Sequence, residues 1–393
     1  MRIGKFATPV FVAMSLLVGC KNFFNVPASG GGTCTTNCTT VSSGNFYVLN
    51  SNAGQLEIAG YSIVSSNLNP LTGSPYKLPS GPYAIAVAPN NSFLYVSTQS
   101  GIFLYTIGVG GALTLASSTP FAADFAAYSM QVDATNSWLL EVSGSGYLYA
   151  YPINPSTGAT TGTVQQIALA GIQPRQLAIS PDNTNIFVAL GGVGTEVIPF
   201  APASATPLPA IGGIPIAVKT PGSAAISVAV DPGNKLFYIG ETSGTSGGAN
   251  SGLLRAFIYS SLTSTPTEVT ASPYPSGGMT PVSILPTASG AYVYVANSTV
   301  SNSATGNIAG FSITASTTVY SLSPLTSTAA TGTTPAGLAE DSTGSVVLLV
   351  NSGGGPDLGV YSFDATTLGK LDSALSFSTG TDPVGALAIA STP

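Results

Sequence analysis

The sequence predicts an all-β protein: a seven-bladed β-propeller with four-stranded blades and 1+3 ring closure between the two chain ends. Three observations predict it. A fragment of about fifty residues recurs along the chain, the length at which four short strands make one blade. No stretch carries a helical apolar period. Copies of the first and second strands of the unit are offset, so that the chain begins on a second strand and ends on a first.

The fragment is a short apolar strand, a polar turn, and a strand rich in aromatic residues. Its clearest copy runs Pro82-Tyr83-Ala84-Ile85-Ala86-Val87-Ala88-Pro89-Asn90-Asn91-Ser92-Phe93-Leu94-Tyr95-Val96. Residues 174–188 and 225–239 repeat it closely, and 127–141, 281–295 and 336–350 more loosely. The position held by Val96 recurs as Val48, Glu141, Val188, Ile239, Val295 and Val350. Glu141 breaks the apolar rule. The preferred reading is a one-residue slip that puts Val142 in the slot; the other reading is a buried acid. Turns such as Asp231-Pro232-Gly233-Asn234 and Asp341-Ser342-Thr343-Gly344 have hairpin chemistry, since Asn and Gly accept the left-handed conformation. Calcium loops share some of these residues but need a glutamate at the twelfth position, which is missing here.

A third strand of period two follows each aromatic strand, at 102–107, 147–151, 253–259, 308–313 and 358–363. A less regular fourth completes the unit, as at 113–116 and 164–169. Closure follows from the count. The aromatic strand appears seven times from Phe46-Tyr47-Val48, and the last copy of the first strand is Val384-Gly385-Ala386-Leu387-Ala388-Ile389-Ala390. Pairing these two ends removes an open sheet edge.

Residues 1–19 read as a signal peptide. Arg2 and Lys5 precede a 13-residue apolar run at 6–18, too short to span a bilayer, which takes about 20 residues. Leu17-Val18-Gly19-Cys20 resembles a bacterial lipobox. That resemblance implies cleavage before Cys20, lipidation there, and a membrane partner reached through the lipid anchor. The alternative is an ordinary signal peptide with a coincidental cysteine. Export to a bacterial cell envelope follows, at the outer membrane or cell surface, since Lys21 is not an inner-membrane retention Asp. Residues 20–44 form a Gly/Ser/Thr tether without hydrophobic period, and 45–393 form the propeller. Within the tether Cys34 and Cys38 could close a disulfide in an oxidising compartment. Two thiols alone do not complete a zinc site.

Composition narrows the function. Charged residues make up 6% and the net charge is −6. Too few basic side chains exist to neutralise phosphates, so nucleic acid is not expected as a partner. The chain has no histidine, which excludes a Ser–His–Asp triad and removes the commonest metal ligand. No metal and no cofactor are expected. Gly244-Thr245-Ser246-Gly247-Gly248 matches G-x-S-x-G by letter, but sits in a Gly/Ser loop without a base. Gly191-Gly192-Val193-Gly194 reads as a loop between strands, with no helix behind it to hold a phosphate. Glu340 and Asp341 are adjacent near a turn and are expected to be solvated.

The pattern Pro-x-x-Ile-Ala-Val-x-Pro…Leu-Tyr-Val with a Gly-bounded third strand resembles the lactonase-type seven-bladed propellers and the related YVTN repeats. The likeness spans residues 45–393. It implies the propeller fold and, for enzymatic members, 6-phosphogluconolactonase or carboxymuconate cyclase activity, with His, Arg and Glu near the channel mouth. Arg175 stands in that neighbourhood, and Glu196 loosely matches an acidic position.

The residue after the one that opens each first strand should lie near one channel mouth. That slot reads Tyr83, Tyr128, Arg175, Ile226, Val282, Gly337 and Gly385. The loop after each second strand should open on the same face, bringing Asn50, Gln99, Ser143, Glu241, Asn297 and Asn351. Tyr83, Tyr128, Arg175 and Glu241 are the candidate ligand-binding residues, in a patch suited to an anion or sugar. The expected function is a lipid-anchored envelope binding or scaffold module, holding a carbohydrate, a small anionic ligand or an envelope protein. The alternative is a lactonase-like hydrolase, for which no catalytic residue can be named.

Overall fold

In the computed structural model, Asn45–Asn52 pairs on one side with Gln55–Val64 and on the other with Pro383–Ala390. Blade one is therefore built from both ends of the chain. The structure describes residues 42–52, 54–122, 126–210, 212–244, 252–259, 266–300, 305–316, 319–372, 374–380 and 382–390, with the backbone alone at 52 and 385–390. The predicted signal peptide, Cys20, Cys34, Cys38 and nearly all of the tether lie outside these residues. At Ser43 the chain is already joined to the fold, its N–H bonding the carbonyl of Ile63 at 2.8 Å.

Seven antiparallel sheets are present, each with a four-stranded path. Their inner strands are Pro383–Ala390 for blade one, then Pro82–Val87, Ala127–Val132, Gln176–Ile179, Ala225–Val230, Pro281–Pro286 and Pro335–Glu340. Each lies beside the inner strands of two neighbouring blades, and the last neighbours the first, which closes the ring. Among the described residues the one helical segment is a 3₁₀ turn at Val109–Gly111.

The second strands explain the unbroken apolar runs of the sequence. In Asn45–Asn52, Tyr47 and Leu49 pack toward blade two, while Phe46 and Val48 pack toward blade seven. A strand buried on both faces needs no polar side, so its period vanishes. Sequence alone misplaces one register as a result. Pro335 pairs with Asn351 as Pro281 pairs with Asn297, so Leu349, not Val350, is the counterpart of Val295. The mouth slot of blade seven shifts with it, from Gly337 to Ala336.

The preferred slip at Glu141 does not occur. Glu141 pairs with Met130 as Val96 pairs with Ile85, and it is fully buried. The hydroxyl of Tyr151, two positions along the strand from Tyr149, the cross-strand partner of Glu141, donates to Glu141 Oε2 at 2.8 Å. Burying a carboxylate is costly unless it is hydrogen-bonded, and Tyr151 supplies such a bond.

The turns joining first to second strands behave as their chemistry predicts. Asn91, Asn136, Asn183, Asn234, Gly290 and Gly344 all take positive φ there. Several of the Asn side chains also bridge to the preceding blade. Asn136 Oδ1 accepts from Asn90 N at 3.0 Å, Asn183 Oδ1 from Ala134 N at 3.4 Å, and Asn234 Oδ1 from Asp182 N at 3.2 Å. Of the two acids expected to be solvated, Asp341 is buried and Glu340 half-buried: Glu340 Oε2 accepts from Ala288 N of blade six, and Asp341 caps its own turn through Ser345 N and Val346 N. Burial raises the Glu340 carboxyl above its ordinary value, against the Ala288 bond.

A second set of bridges comes from tyrosines of the second strands. Tyr47, Tyr95 and Tyr294 hydroxyls donate to the carbonyls of Gly111, Gly158 and Gly369 in the next blade, at 2.7, 2.8 and 2.6 Å. These glycines have positive φ, so the loop turns its carbonyl toward the seam without a side-chain clash.

Candidate channel-mouth site

Most inner strands open with a β-bulge. The register skips one residue between Pro82 and Ala84, Ala127 and Ser129, Ala225 and Ser227, Pro281 and Ser283, and Pro335 and Gly337. The extra residues are Tyr83, Tyr128, Ile226, Val282 and Ala336. A bulge re-aims a side chain at the end of a ladder. In blade four Arg175 stands at the same place, its N–H bonding the Ala189 carbonyl at 2.8 Å.

Tyr128, Arg175, Ile226, Val282 and Ala336 line a cavity of about 330 Å³ at the channel mouth. Tyr83 does not line it, although it is 39% exposed. Arg175 is exposed and has no ion-pair partner among the described residues. It is also the one charged side chain among the described lining residues.

The floor is polar through residues that the sequence did not single out. Gln131 Oε1 accepts from Ile179 N, and Gln176 Oε1 from Val228 N, both at 2.9 Å. Ser283 Oγ accepts from Leu338 N at 3.0 Å. Each bond stitches one inner strand to the next. With the Gln oxygens so engaged, the amide N–H groups of Gln131 and Gln176 remain as donors beside Arg175. The legible signal was an amide at positions that blade two fills with Ala86 and Ala84.

The expected second contribution to this face differs. Asn50, Ser143, Glu241, Asn297 and Asn351 do not open on the surface but form a buried layer, with Thr98 rather than Gln99 in the equivalent slot. Their side chains hold loops. Thr98 donates to the Gly101 carbonyl at 2.8 Å, and Asn297 Nδ2 to that of Ser276 at 2.8 Å.

Glu241 is therefore separate from the exposed patch. It is 1% exposed and pairs with Arg255 at 2.8 Å. Arg255 also meets Glu268 at 3.0 Å and donates to the Ala217 carbonyl at 2.8 Å. Its guanidinium lies 4.8 Å from the Phe257 ring centroid. Burial opposes charge on Glu268, but hydrogen bonds from Arg255 and Lys219 outweigh it and hold the carboxyl below its ordinary value. Glu196, the other acid singled out, is buried too, accepting from Ala170 N and Gly213 N at 2.9 and 2.6 Å.

No protein-family model and no curated protein matches the chain. Solved structures do. A periplasmic gluconolactonase of Pseudomonas aeruginosa superposes with TM-score 0.68 at 18% identity, covering 89% of this chain and 99% of that one. A candidate 6-phosphogluconolactonase of Bacteroides fragilis gives TM-score 0.67 at 16% identity, covering 90% and 100%. One from Bacteroides uniformis gives 0.64 at 17%, covering 88% and 99%. At these identities the likeness establishes a shared fold: the chain folds as a lactonase-type seven-bladed propeller.

Proposed function

We propose that the channel mouth binds a small anionic, polyhydroxylated ligand of the sugar-acid class, with Arg175 as its anchor. The observation that carries this reading is the position of Arg175, projected from a strand opening into a 330 Å³ concavity without a carboxylate partner among the described residues. A guanidinium offers paired donors in the plane a carboxylate or phosphate requires. Gln131, Gln176 and Tyr128 supply donors for hydroxyls, and Ile226 and Val282 give the opposite arc an apolar wall.

Lactone hydrolysis is the second reading, favoured by the likeness to a gluconolactonase fold. Arg175 could stabilise the oxyanion when water opens the ring. No carboxylate or imidazole stands among the described residues of the lining to act as general base, which is why binding is the leading reading. Gluconate, 6-phosphogluconate and a panel of lactones separate the two by calorimetry and by turnover. Arg175→Ala is expected to weaken sugar-acid binding by about 10- to 100-fold, the worth of a hydrogen bond to a charged group. Unchanged affinity in that variant would remove the proposal, and turnover abolished by it would promote the hydrolase reading.

We further infer that the propeller is carried at an envelope membrane by lipid on Cys20, the support being Leu17-Val18-Gly19-Cys20 at the end of the apolar run. Cys20→Ala is expected to move the protein from the membrane fraction to the soluble fraction of a bacterial host. Retention of the variant in membranes would count against a lipid anchor.

A further inference from the structure

The seam between blades five and six is built differently from its neighbours. Where the turns of blades three, four and five send an Asn to the preceding blade, blade six has Gly290. No side-chain bridge joins its turn to that of blade five among the described residues. The tyrosine bridge is missing as well. Tyr238 is the counterpart of Tyr47, Tyr95 and Tyr294 by its pairing with Ala229, yet its buried hydroxyl has no hydrogen-bond partner among the described residues. The cause lies in blade six. In place of a glycine loop it continues as a long hairpin, Thr305–Ser316 paired with Val319–Pro324, whose backbone groups are taken up by their own ladder.

A cavity of about 240 Å³ opens at this seam, on the face of the turns and away from the channel mouth. Asp231, Lys235, Ser289, Gly290, Ile313 and Tyr320 are among its lining residues. Tyr238 is not one of them: it is fully buried, in the cluster against which Ile313 and Tyr320 pack. Burial and the nearby Asp231 charge push its phenol well above the ordinary value, so it stays a neutral donor.

The lining selects a chemistry. The buried Asp231 carboxylate disfavours an anion, and Lys235 at the rim disfavours a cation. The Asp231 carboxylate and the Ser289 hydroxyl in the lining make a purely apolar occupant costly. The volume is below the roughly 300–1,000 Å³ of pockets for drug-sized ligands. We propose that the seam between blades five and six is a second ligand site, taking a single neutral sugar ring whose hydroxyls meet Asp231 and Ser289 and whose apolar face rests on Tyr320 and Ile313. This site is independent of the channel mouth.

The test uses the full chain with free D-glucose, D-galactose and N-acetyl-D-glucosamine, read by ligand-observed NMR and by the thermal midpoint. At least one sugar is expected to bind at millimolar concentration and raise the midpoint. Tyr320→Ala, which removes the aromatic face of the lining, should weaken that sugar by about 5- to 10-fold. Gly290→Asn should abolish binding while leaving the midpoint without sugar equal or higher, because Asn suits this φ and a Cβ there has 3.8 Å to the nearest atom. Arg175→Ala should leave binding unchanged. The proposal is overturned if none of the three sugars binds, if binding persists undiminished in both seam variants, or if Arg175→Ala alone removes it.

Discussion

A chain ending at Asp382 is expected to lose its cooperative fold. Removing Pro383–Ala390 strips Asn45, Phe46, Tyr47 and Val48 of their ladder partners and leaves blade one with an open edge on its most buried strand. It also takes away the inner strand that lies between those of blades seven and two. The combined loss should exceed the roughly 5–15 kcal/mol of net stability that a typical domain holds. Circular dichroism melts and size-exclusion profiles check this, with a broad transition and aggregated material expected. A permutant supplies the control. Asn45 pairs directly with Ala390, so a short turn joining them would give blade one the same connection its neighbours have. That permutant should melt cooperatively. A truncated chain melting within a few degrees of the full one would show that the ring does not depend on this strand.

Arg255→Met is expected to cost about 3–5 kcal/mol, the usual penalty for breaking one side of a buried ion pair. Glu241 would be left 1% exposed and without its cation. The loss is not of attraction alone: the carboxylate stays desolvated, with only the Lys219 N–H and the Ser223 hydroxyl left against it. The double variant Arg255→Met with Glu241→Gln should therefore recover a large part of the loss, and denaturant midpoints of the four proteins give the coupling. A single variant within about 1 kcal/mol of the parent would refute the reading. The same network makes stability acid-sensitive. Glu268 has a folded value below its unfolded one, so its contribution is complete above the ordinary carboxylate range and is lost as pH falls through the folded value.

Much of the fold was legible because propeller seams are made by local chemistry. Asn and Gly at turn positions, and runs such as Phe93-Leu94-Tyr95-Val96, state where strands begin and why they are central. What escaped was whatever depends on pairing across strands. Val346–Asn351 is apolar at five successive positions, so nothing in its pattern resists a one-residue shift. Glu141 looked like an error because its hydrogen-bond donor, Tyr151, belongs to the next strand. Glu241 looked available because Arg255 is equally remote in sequence. Tyr128 and Arg175 were found from their place in the repeat, but Gln131 and Gln176 were masked by lying inside strands, where polar residues usually face solvent.

The bulges at the strand openings have a consequence for how such a molecule diversifies. The extra residue in each occupies no paired position in the ladder, so exchanging it alters what lines the central opening while the frame keeps its bonds. Arg at 175 and Tyr at 128 on one arc, with Ile at 226 and Val at 282 on the other, are then letters in a short circular code. Its spelling can drift between relatives that share little else than their blades.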